Sequence, residues 1–469
     1  LQKTPSIDVM DAMGSHIRID THRMIVKRIL PRPFDAINGE WLSNKSRYSC
    51  DGLAQQRLDQ PYVKKNNTWT PVSWENAFHE IQQSLTKHKE LAAIAGPLVD
   101  CESTLVLKDI LTSLKCTHFE CRPEGVYIDA RTRGAYTFNS TIAGIDHADV
   151  ALLIGTDLRR EAPLLAARLR QRYLTGDLKV AYMGPDLKEN NLTHAYHDLG
   201  NTVTVLDDLM NNTHSFSPIL SSANYPLIIV GETALKGEQG LFILNKIHNL
   251  LQTFKGIQPH WNGYNFLAQS AGLVGALDMG FISHATHNSL EDIYAKVEAG
   301  HITWVYLHGA DELDFDRLKK AFKVYQGHHG DKGAMHADVI LPGAAYTEKE
   351  ATYTNMEGRA QRTYAALNPP GMAKNDVTLL FELARHLNIA LPYSNVEGVR
   401  QKMAAHHKAY EHVGTLQSHS LEALGLEGSI TRPSFEPYEQ ENYMTNSISR
   451  HSQIMAQCEK IHGGLNHGK

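Results

Sequence analysis

At 469 residues the chain is too long for one ordinary core, so two or three domains sharing interfaces are expected. With 46 basic against 51 acidic side chains and no long Lys/Arg run, a nucleic-acid groove is excluded, and the expected partners are proteins. No apolar stretch approaches the roughly 18 residues of a membrane helix, which excludes a direct span and leaves only an indirect membrane link.

Residues 1–62 read as a β-rich N-terminal module: 14–32 holds two β-branched runs, with the turn expected at Asp20-Thr21-His22. Ser73 followed by Glu75 and apolar residues at helical spacing predicts an N-capped helix. A strand at 90–97 ends in Gly-Pro and leads into a helix over 102–114. The strand-then-helix pattern recurs at 148–174, continues with a strand over 177–185, and returns at 225–252, with further strands at 302–311 and 322–331. Strands alternating with helices over more than two hundred residues imply an α/β fold, with parallel sheets flanked by helices. The expected division is 1–62, a first α/β region at 63–225, a second at 226–392 interleaved with it in space, and an irregular, partly helical tail at 393–469.

Several strands end in Gly followed by small or polar residues: Gly155-Thr156-Asp157, Gly231-Glu232 and Gly309-Ala310-Asp311. Glycine there lets backbone approach a ligand, or simply makes a tight turn. The turn is the better reading, because none of these segments completes G-x-G-x-x-G.

The five cysteines, Cys50, Cys101, Cys116, Cys121 and Cys458, are odd in number and scattered, which fits a reducing compartment. They lack the close spacings of an iron-sulfur site, and Cys116 and Cys121 read as buried free thiols. His328 and His329, adjacent on a segment read as extended, are expected to face opposite ways, so no metal site is assigned. H-E-x-x-H, G-x-S-x-G and Walker A sequences do not occur, and no catalytic residue is assigned.

The stretch 325–361 is the most specific. A-D-V-I-L-P at 337–342, followed by E-x-x-A-T-Y-x-N-x-E-G-R-x-Q, resembles the signature of the molybdopterin oxidoreductase superfamily. Y-Q-G-H-H-G-D at 325–331, with P-G-A-A-Y-T-E-K at 342–349, resembles the large (75 kDa) iron-sulfur subunit of respiratory complex I. The likeness extends to 7–19, 28–48, 92–100, 141–170 and 442–458, nearly from end to end.

The resemblance implies a non-catalytic structural subunit of the peripheral arm of complex I, on the matrix side of the mitochondrial inner membrane, among other peripheral-arm subunits. It also implies a ferredoxin-like, cluster-bearing region ahead of this sequence, which begins at Leu1. The cofactor expectation is therefore none in this chain, with iron-sulfur clusters on a split-off partner polypeptide or on a removed N-terminal region. Ser43 stands where relatives carry a cluster-ligating cysteine, and Glu124 is the one residue near the position of a molybdenum ligand. The β-barrel that caps the cofactor in pterin enzymes has no counterpart in the tail. Gly155, Thr156, Asp157, His329, Glu357 and Arg359 match positions that line the pterin cleft in relatives, and are the candidates for a vestigial pocket. Two alternatives are a working pterin-dependent oxidoreductase and a nucleotide-binding regulatory module.

Overall fold

The computed structural model describes residues 1–88, 90–187, 192–438 and 442–462. The N-terminal module is an antiparallel three-stranded sheet of Gln2–Ile7, His16–His22 and Ile25–Pro31. Alternation along the middle strand buries Ile17 and Ile19 completely. The turn falls at Arg23-Met24 and not at Asp20-Thr21-His22, because both residues take positive φ (50° and 60°), as a two-residue hairpin turn requires. Asp20 stays within its strand, fully buried and paired with Arg18 and Arg28.

Two sheets form the body. The larger runs in the order Thr68–Pro71, Tyr62–Lys65, Val339–Pro342, Phe322–Gly327, Ile302–His308, Glu90–Ala95, His118–Glu120, and its last five strands are parallel. The smaller runs His197–Asp198, Lys179–Met183, Val150–Ile154, Pro226–Val230, Tyr264–Phe266, parallel throughout. Its two central strands, VALLI and PLIIV, are buried at every residue, as expected for strands covered on both faces.

The chain that builds the smaller sheet is inserted between two neighbouring parts of the larger one. Strands of the two sheets thus alternate along the chain, and position 225/226 falls between two strands of one sheet. A break at 225/226 would separate Val150–Ile154 from Pro226–Val230, which are hydrogen-bonded neighbours. Periodicity reports where strands lie and is silent on which strands pair.

Local signals were followed closely. Ser73 caps helix Trp74–Leu85, its hydroxyl accepting from the Asn76 amide at 3.2 Å, and Trp74, Ala77, Phe78 and Ile81 form the buried face. Asp100 caps helix Cys101–Ser113 by accepting from the Ser103 amide at 2.8 Å. Beyond helix Asp376–His386, the tail forms helices Val396–His406, Ser447–Arg450 and Gln453–His462, with irregular stretches between them.

Candidate functional site

A cavity of about 340 Å³ lies where the carboxyl ends of strands from both sheets meet the N-terminal module and the tail. Two glycines let the strand ends of the smaller sheet close together. Gly155 has φ +56°, and a Cβ there would sit 2.7 Å from the Ala234 backbone nitrogen; at Gly231 it would sit 2.3 Å from the Gly155 carbonyl oxygen.

Beyond Gly155, the Thr156 hydroxyl donates to Glu161 at 3.0 Å and the Asp157 amide donates to the other Glu161 oxygen at 3.1 Å. Asp157, Glu161 and Glu232 line the cavity. Burial pushes Glu161 up to about 8 and Glu232 up to about 7, so both release their protons at a much higher pH than a free carboxyl does. From the larger sheet, burial and neighbouring carboxylates push Asp311 up to about 8. The tail closes the opening: Tyr438, Thr445, Asn446 and Arg450 all line it. Arg450 donates to Asp331 and to Glu312, each at 2.6 Å, and Lys45 of the N-terminal module donates to Thr445 at 3.2 Å. The tail thus serves as a strap over the cleft.

The structure does not gather the six candidate residues at one place. Asp157 lines the cavity, with Gly155 and Thr156 directly before it. His329 lies elsewhere, with Nε2 bonded to the Gly52 carbonyl at 3.0 Å and its pKa pushed down to about 3 by burial. Its ring nitrogen Nδ1 meets His328 Nδ1, so the pair converges instead of facing opposite ways; the strand ends at Gly327, and the alternation of extended chain ends with it. Glu357 and Arg359 form a latch. Glu357 accepts from the Ile142 amide at 3.0 Å and from Arg359 Nε at 2.8 Å, while Arg359 Nη1 donates to the Gly414 carbonyl at 2.5 Å. Their motif fastens three distant segments together.

Ser43 proves to be a helix cap, accepting from the Ser46 amide at 3.1 Å, while the Ser46 hydroxyl donates to buried Asp8 at 2.6 Å. Glu124 accepts from the Tyr294 hydroxyl at 3.1 Å and lies on the cavity wall. Among the described residues no group of three or more His, Cys, Asp or Glu side chains is arranged to hold a metal ion. Sequence reasoning missed Glu161, Lys45 and Arg450, whose roles depend on contacts far along the chain.

An α/β body with a cleft at its strand ends, packed against a small antiparallel module, defines a class before any particular relative. The fold resembles that of acetylene hydratase from Pelobacter acetylenicus (TM-score 0.65, 12% identity, covering 88% of this chain and 74% of that one). It also resembles a chain of the formyltransferase/hydrolase complex from Methylorubrum extorquens (TM-score 0.52, 13% identity, 70% of this chain and 98% of that one). The family profile Molybdopterin oxidoreductase matches residues 57–386.

Two further profiles flank it. NADH-ubiquinone oxidoreductase NDSU1/NuoG-like, 4Fe-4S domain, matches residues 1–51, and the C-terminal profile of the same NADH-ubiquinone oxidoreductase subunit matches 412–458. The NADH-ubiquinone oxidoreductase 75 kDa subunit of Reclinomonas americana is 38% identical over 98% of this chain and 69% of its own length. Its bacterial counterpart in the NADH-quinone oxidoreductase of Rickettsia felis is 40% identical over 98% of this chain and 66% of its own length. The chain therefore belongs to the family of 75 kDa, or NuoG-like, subunits within the molybdopterin oxidoreductases. It spans 66% of the length of the Rickettsia felis relative, a little under two thirds.

One expectation is overturned by the match at 1–51. Iron-sulfur binding is indicated within this chain, and not solely on a partner or a preceding region. Cysteine spacing alone pointed the other way, whereas the family match takes in residues 1–51 as a segment. The donor set within that segment is one thiol, Cys50, which burial holds above the usual thiol range. Four-iron clusters take four such ligands, so residues 1–51 do not complete one unaided.

The strand ends of the smaller sheet present Glu161 and Glu232, while Lys45, Arg122, Arg160, Lys236 and Arg450 also line the cleft, so its wall is mixed in charge.

Proposed function

We propose that this chain works in the peripheral arm of respiratory complex I (NADH:ubiquinone oxidoreductase), as the α/β body against which a 4Fe-4S domain is held for electron transfer from NADH to quinone. The observation that carries this reading is the match over 98% of the chain to the Rickettsia felis and Reclinomonas americana subunits. The way the N-terminal module is fastened supports it. Arg57 forms a two-pronged pair with Glu348, one bond at 2.6 Å; Ser452 of the tail bonds Asp51; and Asn355 donates to the Met13 carbonyl at 3.0 Å. Such bracing fixes the distance between a redox domain and its neighbours.

The chain's role in this reading is structural, and its tail supports that by bracing the cleft through Arg450, which pairs with Glu312 and Asp331. Its partners are other peripheral-arm subunits, at the matrix side of the mitochondrial inner membrane. Among the described residues no helix is long and apolar enough to cross a membrane, and the link to the membrane runs through those partners.

Deleting the gene and restoring it on a plasmid tests this. NADH:quinone reductase activity and the assembled peripheral arm are expected to disappear and return together. A fully active complex lacking the chain would sink the proposal, and stoichiometric molybdenum or tungsten in the purified protein would favour a pterin enzyme instead.

A further inference from the structure

A second hollow, of about 440 Å³, opens on the surface between residues 33–41 and helix Pro163–Leu174. Its walls are tied together by hydrogen bonds. Asn38 donates to the carbonyls of Arg32, Gly39 and Trp41 and accepts from the His16 amide, which winds 33–41 into a fixed loop. Arg168 clamps that loop to the helix, donating to the Asp35 carbonyl at 2.8 Å and to Asp146 at 2.9 and 2.5 Å.

On this fixed frame Trp41 is 57% exposed, although it is the type of side chain that folding normally covers. The charges around it are unbalanced. Asp146 neutralises Arg168, but Asp35 and Glu40, both exposed, have no ion-pair partner among the described residues. A largely exposed indole lining the same hollow as two unmatched carboxylates is complementary to a planar cation on an apolar stem, and tryptophan is enriched among binding hot spots.

We propose that this groove receives an arginine-bearing segment of a partner protein, the guanidinium stacking on Trp41 with Asp35 and Glu40 as its counter-charges. Lysine suits the site less well, since its ammonium lacks the plane that stacks on indole.

The test uses the purified full chain, with Trp41 fluorescence isolated by difference against Trp41→Phe. The probes are acetyl-Leu-Arg-Leu-amide and the same peptide carrying citrulline, the neutral isostere of arginine. The arginine peptide is expected to bind about fivefold more tightly, and Glu40→Gln, a change on an exposed residue, is expected to narrow that preference. In the assembled complex, photoreactive benzoylphenylalanine at Gln171, on the exposed rim, is expected to cross-link to an arginine-bearing segment of another subunit. Equal binding of the two peptides overturns the proposal, as does a preference that survives Glu40→Gln combined with Asp35→Asn. So does the lack of a cross-link, or one to lipid, to a second copy or to a segment without arginine. The peptide arm stands whether or not the complex I reading does.

Discussion

Two clusters of buried acid, one at the carboxyl end of each sheet, are handled in opposite ways. At the larger sheet, Lys349 lies between Asp100 and Asp376, 2.7 Å from each, with Gln326 donating to Asp376 at 2.8 Å. Burial alone would push the Asp100 carboxyl up, yet Lys349 outweighs it and holds Asp100 below the usual range. At the smaller sheet, Glu161 and Glu232 have no ion-pair partner among the described residues, and burial pushes both up. The Lys349 cluster is a closed ionic knot, whereas Glu161 and Glu232 are the unpaired acids of a cavity wall. The difference shows what a cation delivered from far along the chain does for a buried carboxylate: Lys349 keeps Asp100 below the usual range, while Glu161 and Glu232, with no such partner, are pushed up.

Lys349→Met should break the contrast most severely, leaving Asp100 and Asp376 buried against each other at a cost of about 3–5 kcal/mol in urea unfolding. Adding Asp100→Asn should recover part of the loss; a single mutant as stable as wild type would mean that the knot contributes nothing.

Glu232→Gln sharpens the other side. Because the folded pKa is raised from 4.5 to about 7, the native state holds a proton that the unfolded chain has released, so stability falls as pH rises from 4.5 to 7. The variant should lose that decline, on the order of 3 kcal/mol across the window, which thermal melts over pH 4.5–7.5 would show.

Gly155→Ala should cost about 2 kcal/mol, combining left-handed backbone with the close approach to Ala234, and calorimetry reads it directly. Ser43→Ala, outside both sheet ends, should cost only about 1 kcal/mol through the lost cap. A much larger loss at Ser43 would indicate that Asp8 and Ser46 depend on it more than their hydrogen bonds suggest.

What was legible in the sequence was local. The Ser73 cap, the wholly apolar strands at 150–154 and 226–230, and the glycines at strand ends follow from residue chemistry over a few positions. What stayed hidden was relational. The order of strands sets Val150–Ile154 beside Pro226–Val230 across a boundary drawn from linear pattern alone. The candidates His329, Glu357 and Arg359 were chosen by motif, and the structure uses them as fasteners away from the cavity wall. The resemblance to the 75 kDa subunit held over the whole chain, while the reading that placed every cluster elsewhere failed at residues 1–51, where a count of thiols stood in for the character of the whole domain.

The strap has a consequence for how the molecule is made. Its bonds from Thr445 to Lys45 and from Ser452 to Asp51 join positions 400 and 401 residues apart. Contacts of such separation form only after the chain between them has been shortened by folding. The strap can therefore lock only when both sheets and the N-terminal module are in place. It acts as a seal on a finished assembly, and it is the element whose release would first mark a chain that has begun to unravel.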